Sequence, residues 1–151
     1  MTTTYDSSTD TLEHITNVSS TIDIVLKELL NRAELHDRSK LESFEKPYFD
    51  QYTLKLKTMT YGSAEYKQCL KELSVALDHH YKNNRHHPEH FENGVDGMNL
   101  IDLIEMFCDW KAATLRHSDG DLLKSLEHNK ERFGISDQLY NILKNSINLF
   151  E

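Results

Sequence analysis

Nine of the 151 residues are histidine, and five of them, His79, His80, His86, His87 and His90, fall in one short stretch. A His36-Asp37 pair and His14 stand upstream of that stretch; Glu105 and Asp109 stand downstream. Imidazole nitrogen and carboxylate oxygen are the donors that first-row transition ions take from proteins. The chemistry to look for is therefore an ion held by residues from several segments, with phosphate or water bound beside it.

Each residue also has a plainer reading. His14 lies one turn before Val18, at the edge of an apolar stripe, where a lone histidine packs or caps. His36-Asp37 offers an imidazole and a carboxylate from adjacent positions. His80 prolongs the stripe of a third helix, and burying an unpaired polar group costs ~1–3 kcal/mol, so it needs a partner or a ligand. His79 points about 100° away, toward the rim. Both also suit the negative end of a helix dipole.

Pro88 restricts His87 to extended backbone. Side chains alternate along such a backbone, so one of His86 and His87 is expected at an ion and the other at a substrate. His90 is the least constrained. Asp102, Glu105 and Asp109 share the polar side of a fourth helix, with Glu105 and Asp109 one turn apart. An acidic solvent-facing stripe would look the same. Asp109, however, sits between Cys108 and Trp110, an apolar setting in which a charge is paired or bound. Lys40, one turn after Asp37, and Arg116, seven residues after Asp109, are candidates for phosphoryl oxygens.

The elements that must bring these residues together are helices. Five glycines and two prolines punctuate the chain, and no alternating run marks a strand. Asp10 with Glu13 forms a capping-box start. Ile15, Val18, Ile22, Val25 and Leu29 follow as an amphipathic stripe to about Ala33. A second segment covers about Lys40 to Met59, broken or kinked by Pro47. Tyr61-Gly62-Ser63 reads as a turn ending in a cap. Tyr66, Leu70, Leu73, Leu77 and His80 line a third helix to about Asn83, and residues 84–97 look irregular. A fourth helix, about Asn99 to His117, carries Ile101, Ile104, Phe107 and Cys108 as its apolar side. Residues 118–121 form a loop and cap, a fifth helix runs to Arg132 and closes at Gly134, and Ser136 caps a sixth with Leu139, Ile142, Leu143 and Ile147. The expectation is an all-α bundle of about six helices: a flexible lead over 1–9 and one domain over 10–151.

Composition narrows the partners. Acidic residues outnumber basic ones 25 to 17, for a net charge of -8, and general nucleic-acid binding depends on Lys and Arg. A small phosphate ester remains compatible, because a bound ion supplies local positive charge. Mean hydropathy is -0.64, and no run approaches the ~18 apolar residues of a membrane span. Cys69 and Cys108 lie in apolar helical stretches and read as buried reduced thiols. Without an apolar leader at the N-terminus, a cytoplasmic protein is the expectation, and a homo-oligomer is compatible with it.

The order His14, His36-Asp37, His80, His86/His87, Asp109 resembles the H…HD…D pattern of the HD-domain metal-dependent phosphohydrolases, all-helical enzymes. The HHPEHFENGVDG segment is similar to the HHE…DG stretch of their cyclic-di-nucleotide branch, without the Gly-Tyr-Pro that follows there. EHI, ELHDRSK, HHYKNNRHHPEHF, IEMFCDWKAAT and RHSDGD resemble a family of small uncharacterised phage and bacterial proteins over most of the chain. The likeness implies one or two ions of Mn, Fe, Ni, Co or Zn, held by His14, His36, Asp37, His80, His86, His87 and Asp109. Glu105 is then a general base or an orienter of a histidine, with Lys40 and Arg116 on phosphate. The implied reaction is hydrolysis of a nucleotide-like phosphate ester. The rival expectations are a protein that sequesters a nucleotide or binds a host protein, a purely structural ion, and histidines that are only polar surface.

Overall fold

The computed structural model describes residues 5–60, 63–116 and 120–150. All regular structure among them is helical: α1 (Ser8–Leu35), α2 (Lys46–Thr58), α3 (Ala64–Asn83), α4 (Leu100–Thr114), α5 (Leu122–Phe133) and α6 (Asp137–Asn145), joined in places by short 3-10 turns. No helix among them is long and apolar enough to cross a membrane. The chain divides into two compact units, Met1–Leu35 and His36–Glu151.

The first unit is α1, 28 residues, or about 42 Å of helix. It starts ahead of the Asp10 cap expected from sequence. Asp6 Oδ1 accepts from the Ser8 amide at 3.0 Å and from the Ser8 hydroxyl at 2.6 Å, which occupies a donor the helix end leaves open. No residue of α1 is buried. Ile15, Val18, Ile22 and Val25 are exposed, contrary to the burial their spacing implies. A single helix has no second layer within its own unit to cover a stripe.

In the second unit α2 lies along α3, and α4, α5 and α6 pack in succession. Tyr52, Cys69, Leu73 and Ala76 form the first apolar cluster. Met106, Phe107, Trp110, Leu122, Leu126, Ile135 and Leu143 form the second. The inward face of α4 thus runs through Met106, Phe107 and Trp110. Ile104 and Cys108, expected on that face, are exposed, because the helical period turns them about 100° and more from its centre.

Pro47 neither breaks nor kinks a helix. It occupies the first turn of α2, where a missing amide hydrogen costs nothing, and a 3-10 turn over Arg38–Leu41 precedes it. Ser63, Asp121 and Ser136 cap α3, α5 and α6 through side-chain oxygens. Asn99 and Asp102 form a reciprocal capping box on α4. Gly134 ends α5 at φ 63, a left-handed conformation that glycine adopts without strain. Tyr61 and Gly62 of the expected turn, and His117, Ser118 and Asp119 beyond α4, lie outside the described residues.

Candidate metal centre

Asp37 sits at the centre of the site, in the turn between α1 and α2. It is the one non-glycine residue with positive φ among those described, at φ 57 and ψ 11. Asp tolerates that region better than most residues, and the turn brings its carboxylate under α3. Asp37 Oδ1 stands 3.1 Å from His80 Nε2 and 3.5 Å from His86 Nε2. Asp37 Oδ2 stands 3.7 Å from His36 Nε2, which is itself 3.6 Å from Asp109 Oδ1. His80 Nε2 and His87 Nε2 are 3.1 Å apart.

These atoms fall into interlocking sets whose members all lie within 4.8 Å of one another: Asp37, His80, His86 and His87; His36, Asp37 and Asp109; and His36, His86 and Glu105. Asp37 Oδ1 and His86 Nε2 are buried, yet neither is in hydrogen-bond geometry with any group among the described residues. A buried polar atom without a partner is costly. Several imidazole nitrogens converging on such an oxygen match the donor set of a divalent transition ion. The residues present fit that group.

Two carboxylates outside the donor core aim the rings. Glu45 is closed off from solvent; its Oε1 lies 2.7 Å from His79 Nδ1, and its Oε2 lies 2.9 Å from His80 Nδ1. The Ser39 hydroxyl donates to the same Oε2 at 3.0 Å. An ionised carboxylate only accepts, so the Glu45 contact favours a proton on His80 Nδ1 and leaves Nε2, on the Asp37 side, as the nitrogen an ion could take. Glu105 does the same for two rings, its Oε1 standing 2.9 Å from His36 Nδ1 and 3.2 Å from His86 Nδ1. Such outer carboxylates fix tautomer and ring angle at metal-binding histidines.

Without an ion the cluster is electrostatically tense. Hydrogen bonds to Asp109 and then Glu105 push the His36 pKa up to about 10. Burial, and then the neighbouring His86 and His80, hold His87 down to about 3. Burial raises Asp37, but His80, His86 and Lys40 outweigh it and leave the carboxyl well below its usual range. Asp109 is lowered as well, since His36 and His86 outweigh burial. Burial opposes protonation of His86, yet Asp37 and Glu105 bring its pKa up. A divalent cation would answer this concentration of carboxylate charge around bare nitrogens.

His36, Asp37, His80, His86, His87 and Asp109 therefore come together, with Glu105 against them. Lys40 reaches Asp37 Oδ2 at 2.6 Å. The expectation that His86 and His87 point to opposite sides does not hold. Their ring centroids are 4.1 Å apart, because His86 lies in a turn and not in extended chain. His79 is half-buried on Glu45, and His90 Nδ1 lies 3.1 Å from the Tyr81 carbonyl. Asp102 is buried in its capping box and paired with Arg85. Helix α4 ends at Thr114, so the face expected to carry Arg116 back toward Asp109 is not continued, and Arg116 is exposed. His14 is exposed on α1, in the first unit.

Glu45 escaped the sequence reading. It lies in the polar run Glu42-Ser43-Phe44-Glu45, which has no apolar period to mark it as internal. The only clue is its place just before the Lys46-Pro47 start of α2.

No curated protein and no solved structure matches the chain. A family model does, over residues 3–149: a family of unknown function, DUF5662. With nearly its whole length matched, the chain belongs to that family, and here it carries a His/Asp cluster that could bind a metal ion.

Proposed function

We propose that the protein is a metal-dependent phosphohydrolase acting on a small phosphate ester. The observation that carries this reading is the two-sided use of Asp37. One carboxylate oxygen faces His80 and His86, and the other faces His36 in the set completed by Asp109. Two donor sets share Asp37, so the residues present could hold one ion or two. Mn, Fe, Co, Ni and Zn all accept mixed imidazole and carboxylate donors.

A divalent ion in such a site lowers the pKa of bound water toward neutrality and offsets charge on phosphoryl oxygens. The protein's own part is to hold donors and exclude others. His36, His80, His86 and His87 supply nitrogen, and Asp37 and Asp109 supply oxygen. Glu105 acts as the orienter of His36 and His86, since its oxygen is engaged by both rings. Lys40, against Asp37, brings positive charge to the phosphoryl side.

The test is elemental analysis of the purified full chain beside turnover of nucleotides and bis(p-nitrophenyl) phosphate. Stoichiometric metal, lost together with turnover in Asp37→Ala and His80→Ala, supports the proposal. A wild type that holds no metal sinks it. Metal with a phosphate ester bound and released unchanged would make the protein a binder and remove the hydrolase.

A further inference from the structure

A cavity of about 440 Å³ adjoins the ion cluster, sharing His87 and Asp109 with it. That size lies in the lower part of the range for small-molecule sites, roughly 300–1,000 Å³. Helix α5 contributes Ser125, His128, Asn129 and Arg132 to its lining. These positions follow the i, i+3, i+4, i+7 spacing of a single helical face. On a helix packed against a core such a face is ordinarily apolar, and the adjoining positions Leu122 and Leu126 are buried in the apolar cluster. Asn129 is buried as well, at 8 % exposure, and its amide donates to the Ser125 hydroxyl at 3.4 Å. An amide in the lining of a cavity offers a ligand both a donor and an acceptor.

Arg132 is held in place before any ligand arrives. Its guanidinium donates to Glu89 Oε1 at 2.8 Å and lies over the Phe133 ring at 4.5 Å. Phe133 and Trp110, both in the cavity lining, have parallel ring planes 3° apart. The cavity lining thus combines His87 and Asp109 of the donor cluster, the polar face of α5 and the Trp110 and Phe133 rings.

We infer that this cavity seats the organic body of the ester, and that the ligand is a phosphomonoester of mononucleotide size carrying a planar hydrogen-bonding heterocycle. The inference rests on the ion reading above. The phosphoryl group lies toward His87 and Asp109, the heterocycle packs against Trp110 or Phe133, and Asn129 and Arg132 read its polar edge. An amide offers donor and acceptor together, which suits a nucleobase edge.

The experiment uses the full chain with Mn²⁺ and measures binding by calorimetry. The probes are the common nucleoside 5′-monophosphates, ribose 5-phosphate, inorganic phosphate and adenosine. At least one nucleotide is expected to bind tenfold or more tighter than ribose 5-phosphate and inorganic phosphate. Asn129→Leu and the exposed Arg132→Met are each expected to weaken it at least tenfold with Mn²⁺ stoichiometry unchanged. Retaining Arg132→Met keeps the test sound should Asn129→Leu fail to fold. Nucleotides that bind no better than ribose 5-phosphate, or variants that bind as wild type does, overturn the inference and leave the ion reading standing. A wild type that takes up no Mn²⁺ removes both.

Discussion

Glu45 Oε2 and His80 Nδ1 are 2.9 Å apart, with both side chains sealed from solvent. The contact sets which nitrogen of His80 faces Asp37. Replacing the carboxylate by an amide keeps one acceptor and turns the other into a donor, so His79 and His80 can no longer both give an Nδ1 proton to residue 45. Glu45→Gln is expected to keep the helical fold and lower ion affinity by about 10–100-fold, the usual scale for outer-shell partners. Competition titration with a chromogenic chelator reads this directly, and wild-type affinity in the variant would refute the orienting role.

Asp37 combines a ligand with an uncommon backbone. Asp37→Gly and Asp37→Ala both delete the carboxylate, but only glycine occupies φ 57 freely. In chelator, the glycine variant should be the more stable of the two by roughly 1–2 kcal/mol, the usual cost of the left-handed region. Neither should retain metal. Equal melting temperatures for the pair would argue that the turn relaxes and the conformation is not imposed.

The stability of the ion-free chain should depend on pH with opposite signs on its two sides. His36 is raised from 6.5 to about 10. Its contribution is complete below pH 6.5 and is lost as pH rises through about 10. His87 is lowered from 6.5 to about 3; its contribution is complete above pH 6.5 and is lost as pH falls toward 3. The depressed Asp37 and Asp109 add further loss below their usual 3.8. Melting in chelator should therefore peak near pH 6.5. His36→Gln should flatten the alkaline limb and spare the acid one; an unchanged alkaline limb in that variant counts against the ion pairing described.

Gly134 closes α5 at φ 63, with open space where a side chain would stand. Gly134→Ala meets only backbone strain, so a loss of about 1 kcal/mol is expected. Because the cap is remote in sequence from the donors, metal stoichiometry should stay at the wild-type value. Denaturant unfolding with and without added ion checks both halves.

The helical architecture was readable because its signals are local. Leu73 and His80 share a face by period alone, and Ser63, Asp121 and Ser136 mark helix starts by their own side chains. The grouping of His36, Asp37, His80 and Asp109 rested instead on a pattern spread over the chain, which says which residues matter and not how they meet. What escaped was long-range. Glu45 is buried by tertiary pairing with His79 and His80, and nothing in its neighbourhood signals that. The alternation expected at His86 and His87 failed because a turn, set by residues on either side, replaces extended chain. Pro47 was read as an interruption because its position relative to the helix start depends on a boundary that propensity places only loosely.

A carboxylate common to two donor sets makes their occupancies interdependent. If both sets were to take an ion, the first to bind would draw electron density from Asp37 and leave the other set a poorer trap. Titration should accordingly give two unequal steps, and a half-loaded preparation should consist mostly of molecules carrying a single ion, not a mixture of full and empty ones. In that population the second position stays free for a probe metal, so a mixed pair of different ions could be assembled by order of addition.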